Sequence, residues 1–410
     1  MQMYENLVFQ DVTKLLIKDI NSNSLPGAIL FSGEESSGKL SAALETSRIL
    51  SCSNRGIKSF NCECTSCLQS KALTTNNLML LGPRDCFLEI QAAKQSFLNA
   101  YKENASYLNA TRYLFLRSIR KLTLRFNPIL WKGDSDLSKI AVLLDQINEN
   151  LELLDFPREL PDFSSLEKLC DELVKDTTSL ENSYLYASIP VSQIRNLEDW
   201  CRIKSEEGKK TIIIENADRM LESVRNALLK ILEEPPADCI FILLTSKRNA
   251  IMQTILSRVR TYNFKNRLIS EQQSVIKRVF HNEYFNGSIN DYLLTFLPVS
   301  PLQIKEVAKN FIGSIVNRNV IDCSELNNNL NKMVPKKIFN LFLIEIINFQ
   351  KKLLGFEQGV LISSKVLKSV QQCWDNYSIY NLSSTAALEI LYKELSILNA
   401  QNGGILKICL

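Results

Sequence analysis

The sequence predicts an α/β domain built on a parallel sheet, followed by a long region that is helical throughout. Three observations carry this. Short apolar runs at 27–32, 211–214 and 240–244, the second and third rich in β-branched residues, suit strands buried on both faces. Helical patterns at 40–50 and 220–232 alternate with them, the second stopped by Pro235 and Pro236. From about 269 onward the pattern stays helical, with Ile338, Leu341, Phe342, Glu345, Ile346 and Phe349 marking a strongly apolar helix. Strands alternating with helices are the mark of a parallel sheet with helical crossovers.

Composition bounds what such a chain can do. With 410 residues, 45% apolar and 22% charged, it can bury full cores in about two to four domains. A net charge of +4 permits contact with nucleic acid without arguing for it. The single histidine, His281, excludes most histidine-based metal sites and dyads. Eleven cysteines are present, four of them close together at Cys52, Cys62, Cys64 and Cys67. No basic segment followed by an apolar run opens the sequence, and no apolar run reaches membrane-spanning length. The expectation is a soluble protein of a reducing, cytoplasmic compartment.

The stretch 87–187 reads as a mostly helical insertion with segregated charge. Arg112, Arg117, Arg120, Lys121, Arg125 and Lys132 follow one another with no acidic residue between them, and acidic residues dominate from Asp134 to Asp176. Arg117, Lys121 and Arg125 share a helical face that could track phosphates. The stronger reading is that the basic helix pairs with the acidic one after it or is simply solvated.

Gly33-Glu34-Glu35-Ser36-Ser37-Gly38-Lys39 fits the phosphate-loop pattern, after a strand and before a helix. Its backbone N–H groups can cradle phosphates, and Lys39 would reach the β and γ phosphates. The next residue should offer a hydroxyl to Mg²⁺, and here it is Leu40. An acidic pair should close the later strand, but the sequence reads Glu215-Asn216-Ala217-Asp218, and the amide of Asn216 cannot act as a general base. Two defects thus fall on one chemistry and argue against hydrolysis. Whether the loop holds ATP without turning it over, or stands empty, is left open by these residues.

Several segments together resemble the AAA+ clamp-loader family of bacterial DNA polymerase III, in its delta-prime type. Asn226-Ala227-Leu228-Leu229-Lys230-Ile231-Leu232-Glu233-Glu234-Pro235-Pro236 is nearly that family's N-A-L-L-K-x-L-E-E-P-P signature. Leu25 to Gly33 is similar to its L-P-H-A-Y-L-F-S-G entry to the phosphate loop, and Val191 to Arg195 to its x-x-Q-I-R segment. Asn216 to Met220 resembles the x-A-D-x-M form of delta-prime more than the motor subunits' D-E-V-H. The resemblance covers roughly 1–80 and 188–320 and leaves 87–187 outside it.

The resemblance implies roles. Arg258, after Ser257, stands where the family places an arginine finger that acts in trans on ATP in a neighbouring subunit, with Val259 in place of a cysteine. The segment from Val299 to Ile304, where a sensor arginine is expected, has none. The family carries a zinc module of C-x8-C-x2-C-x2-C form, whereas this chain reads C-x9-C-x-C-x2-C, and four thiolates can hold a structural Zn²⁺. The implied architecture is an AAA+ domain at 1–86 with the zinc module at 52–67, the insertion at 87–187, the rest of the AAA+ domain at 188–267, a small helical lid at 268–322 and a helical collar at 323–410. The implied function is a non-catalytic subunit that helps load the sliding clamp onto primed DNA during replication. Its implied partners are motor-type and delta-type subunits and the clamp. The alternative is an ATP-hydrolysing motor subunit of the same complex.

Overall fold

The computed structural model describes residues 3–54, 59–205, 208–319, 335–356, 359–378, 380 and 382–410. The Asn-rich patch at 327–331 lies outside them. The chain divides into two compact units, Met1–Leu293 and Leu294–Leu410.

The first unit is built on the expected parallel sheet. Its strands are β1 (Ala28–Ser32), β2 (Leu78–Leu81), β3 (Lys210–Ile214), β4 (Cys239–Thr245) and β5 (Arg260–Asn263), in the spatial order β2-β3-β4-β1-β5. Leu30 stands beside Leu243 on one side and Thr261 on the other, and Ile213 lies between Leu80 and Ile242. Every residue of β1 to β4 is buried, as helices on both faces require. The edge strand β5 buries only Tyr262 and leaves Arg260 and Asn263 exposed, so its run lacks the apolar signature of the others.

Helices α1 (Val12–Asn21), α2 (Lys39–Ser51) and α3 (Thr65–Ala72) occur between the first two strands and the residues before them. Most of α2 is buried, Leu40, Ala42, Ala43 and Leu44 facing a core that includes Ile29, Phe31, Ile242 and Tyr262. The insertion supplies α4 (Phe87–Lys102), α5 (Leu108–Thr123), α6 (Leu137–Leu153) and α7 (Phe163–Tyr184). Helix α4 packs on α5 and α7, and α6 packs on α7. The basic α5 therefore does not lie along the acidic α6. Its ring partner is α4, where Phe115 meets Phe97 at 6.0 Å. Arg112 instead caps the end of α6, donating to the carbonyls of Leu154 at 2.7 Å and Asp155 at 2.9 Å, groups that helical hydrogen bonding leaves open.

The unit continues with α8 (Val191–Arg202), α9 (Glu222–Glu233), the short α10 (Gln253–Leu256), α11 (Ile269–Phe280) and α12 (Ile289–Leu294). In the second unit α13 (Pro301–Asn317) begins with a capping box. Ser300 Oγ accepts from Gln303 N at 3.2 Å, and the Gln303 side chain accepts from Ser300 N at 3.1 Å. The segment 299–304, where the resemblance places a sensor arginine, is thus a helix start. Helices α14 (Pro335–Gln350), α15 (Gly359–Ser378) and α16 (Ser384–Gln401) follow, with Phe311 of α13 edge-on to Phe342 at 5.5 Å and to Tyr392 at 5.8 Å. No helix among the described residues is long and apolar enough to cross a membrane.

Candidate functional site

The phosphate loop runs from the end of β1 into α2. Gly38 takes φ +94° at the start of that helix, a conformation that disfavours any side chain, and an added Cβ would meet Leu7 at 2.7 Å. Lys39 turns back on its own loop. Its amine donates to the carbonyls of Gly33 and Glu34 and lies 3.3 Å from Ser37 Oγ. Burial pushes its pKa down to about 8. From outside, Arg267 donates to Ser36 O at 2.7 Å and Gln10 to Ser37 O at 3.1 Å. Leu40, where a metal-binding hydroxyl would sit, is 7% exposed and belongs to the core cluster under the sheet.

Glu215 follows β3 and is also occupied. Arg84 donates to its Oε1 at 2.8 Å, and Arg125, from the turn after α5, grips Oε2. Arg84 also holds Glu89 of α4 at 2.8 Å, and Lys121 of α5 holds the other oxygen of Glu89. Gly82, at φ +103°, allows the backbone to approach, since a Cβ there would stand 2.3 Å from Glu215 O. Asn216 has φ +50°, a region asparagine tolerates better than most residues, and its amide donates to Pro83 O at 2.6 Å. Asp218 accepts from Thr245 Oγ1 at 2.6 Å. With both oxygens of Glu215 taken by guanidinium groups, the carboxylate is a salt-bridge anchor for the insertion.

The basic helix of the insertion is turned inward as well. Arg120 pairs with Asp155, Lys121 with Glu89 and Arg125 with Glu215. Only the Arg120 pair reaches the acidic stretch expected to neutralise this helix. The other two reach α4 and the end of β3.

Arg258 lies beyond α10, beside the exposed Ser257. Its Nη2 is 2.6 Å from Glu233 Oε1, at the end of α9, and its Nη1 donates to Thr254 O at 2.6 Å. The side chain is 31% exposed, whereas Val259 after it is buried. The cysteine cluster sits where two helices meet. Cys52 follows α2, Cys64 precedes α3, and Cys67 lies in the first turn of α3. All four sulfur atoms lie within 4.8 Å of one another, with Cys52 Sγ 3.8 Å from Cys62 and 3.9 Å from Cys64. Four thiolates about 2.3 Å from a tetrahedral ion stand about 3.8 Å apart, so the cluster could hold a metal ion despite its altered spacing. Burial raises the Cys64 thiol, but hydrogen bonds from Ser53 and from the Cys67 backbone outweigh it and bring the group to about 5.

Sequence reading did not single out Arg84, Arg48, Gln10 or Arg267. The detectable signal was for Arg48: Glu45 and Arg48, three residues apart, are the only charged residues inside an otherwise uncharged stretch of α2.

A family model described as DNA polymerase III, delta subunit, matches residues 9–130 and 159–267. The match enters the insertion, which the resemblance had left outside, and omits only 131–158 of it. DNA polymerase III subunit delta' of Bacillus subtilis (strain 168) is 39% identical over 79 residues, 19% of this chain and 24% of its own length. Subunit tau of the same organism is 28% identical over 248 residues, 51% of this chain and 42% of its own length. Subunit delta' of Buchnera aphidicola subsp. Baizongia pistaciae (strain Bp) is 26% identical over 212 residues, 48% of this chain and 61% of its own length. The chain spans less than two thirds of the length of each of these relatives. Because the family model matches more than half of the chain and takes in the phosphate loop, Glu215 and Arg258, the chain belongs to the DNA polymerase III delta-subunit family, the clamp-loader family its motifs resemble.

Proposed function

We propose that the chain is a DNA polymerase III clamp-loader subunit of delta-prime type, one that does not hydrolyse ATP and serves a neighbour's ATP through Arg258. The observation that carries the reading is the capture of Glu215 by Arg84 and Arg125. A carboxylate held by two guanidinium groups has its charge neutralised and its direction fixed, which disfavours binding Mg²⁺, and the hydroxyl ligand is replaced by a core leucine, Leu40. Lys39 satisfies its own loop, so a triphosphate would have to displace three internal acceptors. Arg258 is by contrast partly exposed and follows Ser257, as a finger donated to a neighbouring subunit must be. The four cysteines would hold a structural Zn²⁺ with no position open to water, tying the loop after α2 to α3. In this reading the partners are motor-type and delta-type subunits and the sliding clamp, primed DNA is met through the complex, and the compartment is the cytoplasm.

A second reading, an ATP-hydrolysing motor subunit, draws on the match to subunit tau. One assay separates the two. The purified chain should release no phosphate from Mg-ATP, and adding it to candidate motor, delta and clamp subunits should raise their turnover. Steady turnover by the isolated chain, abolished by Lys39→Ala, would establish the motor reading instead.

A further inference from the structure

Arg48 is among the most completely buried large side chains of the molecule, at 1% exposure. Each of the three nitrogens of its planar fork donates. Nε donates to Glu45 Oε2 at 2.9 Å, Nη2 to Glu45 Oε1 at 2.6 Å, and Nη1 points at Cys67 Sγ, 3.0 Å away. One guanidinium therefore bridges a carboxylate on its own helix and a sulfur of the cysteine cluster. Two cations lie near the Phe60 ring, Arg48 Cζ at 6.0 Å and Lys71 Nζ at 5.3 Å from its centre, and Lys71 donates to Cys62 O at 3.0 Å.

A plain buried ion pair needs only Glu45 and Arg48. The third contact is what that role leaves unexplained. A neutral thiol accepts hydrogen bonds weakly, whereas a thiolate accepts a charge-assisted one. Four thiolates around a divalent ion leave two negative charges in excess, and Cys67 is wholly buried, so the charge on its sulfur is costly without a donor. We propose that Arg48, oriented by Glu45, is a positioning residue of the metal centre, its N–H···S bond to Cys67 raising metal affinity and fastening the module to α2. The carboxylate–guanidinium–thiolate chain does here what a carboxylate does for a metal-bound histidine, fixing the ligand and tuning its basicity from the next layer out. A lysine cannot replace it, because a single ammonium lacks the fork that reaches Glu45 and Cys67 together. The inference rests on reading the cysteine cluster as a metal centre.

The test uses the full chain, purified in reducing buffer and freed of metal. Zinc affinity is measured by competition with a chromogenic chelator, and Co²⁺ is added separately for its sulfur-to-metal charge-transfer bands. Two variants are compared with the wild type. Arg48→Met combined with Glu45→Gln removes both charges at similar volume, and Arg48→Lys keeps a charge opposite Glu45, so that one variant remains informative if the other does not fold. Loss of a partner one layer out from a metal lowers affinity about 10–100-fold, and that loss is expected in both variants. The cobalt bands should move to longer wavelength, since a sulfur without its donor gives up electrons more easily. Wild-type affinity and unshifted bands in folded variants would overturn the role of Arg48 alone. A wild-type chain that takes up neither ion would overturn the metal centre, and this inference with it.

Discussion

At Glu215 a carboxylate 7% exposed is held by two arginines, one of them fully buried. At Arg258 an arginine 31% exposed is held by a single carboxylate, Glu233, itself 53% exposed. Both are ion pairs at positions where an ATPase of this family would work on nucleotide, and they differ in what release costs. Separating the first leaves charge stranded in the interior. An exposed pair such as the second is worth only about 0.2–1 kcal/mol, so in the proposed role Arg258 would give up Glu233 with little loss. Two residues of one motif set have thus come to differ in how firmly they are held. One anchors the insertion, while the other is partly exposed and held by a single exposed carboxylate.

The largest expected effect follows from breaking the anchor. Glu215→Ala leaves Arg125 buried without a counter-charge, bonded only to the carbonyls of Gly82 and Lys121, and Arg84 with Glu89 as its one carboxylate, and should cost about 3–5 kcal/mol in urea denaturation. Adding Arg125→Met should recover part of that loss, because an apolar side chain of similar length needs no counter-charge. A cost below about 1 kcal/mol, within the ordinary range for an exposed pair, would show that the two sites do not differ in kind.

Leu40→Thr comes next. Restoring the hydroxyl removes apolar volume from the core cluster to which Leu40 belongs and buries a polar group, at about 2–4 kcal/mol by thermal or chemical denaturation. The variant should still release no phosphate from Mg-ATP, since Glu215 is still held by its arginines. Turnover in Leu40→Thr alone would place the whole defect at that one residue.

Glu89 sharpens the comparison through pH. Burial raises its carboxyl, but Lys121 and Arg84 outweigh burial and hold it well below its ordinary value of 4.5. A carboxyl depressed in the native state contributes stability above its unfolded value and loses it as pH falls toward the native one. Stability of the wild type should therefore decline below about pH 4.5, and Glu89→Gln should flatten that acid limb while leaving the slope near neutrality unchanged. Parallel acid limbs in the two proteins would remove Glu89 from the network.

What the sequence made legible follows the range of the interactions involved. Strands β1, β3 and β4 announce themselves as apolar runs because both their faces are covered. The four-residue β2 is too short to stand out, and β5 hides because an edge strand tolerates Arg260 and Asn263. The departures from the motif at Leu40 and Asn216 are legible because a local motif fixes which atom belongs at each position. Their structural consequence could not. Glu215 meets Arg84 and Arg125 across separations of 131 and 90 residues, which no helical or strand period reports. The basic helix misled for the same reason. The spacing pairs its cations with the acidic helix next in sequence, but Lys121 pairs with Glu89, brought near by the packing of α5 on α4, and Arg125 of the following turn pairs with Glu215 at the end of β3.

The most direct measurement compares wild-type chain with Arg258→Ala in the reconstituted complex, reading clamp-stimulated ATP turnover after subunit composition has been verified. An arginine finger is worth about 10³–10⁵ in phosphoryl transfer, and a complex with several active sites should lose the share fired at this interface. The expected result is normal assembly, a change of less than about 1 kcal/mol in the stability of the isolated chain, and a clear fall in turnover that Arg258→Lys rescues poorly. Unchanged turnover in a complete Arg258→Ala complex would contradict it.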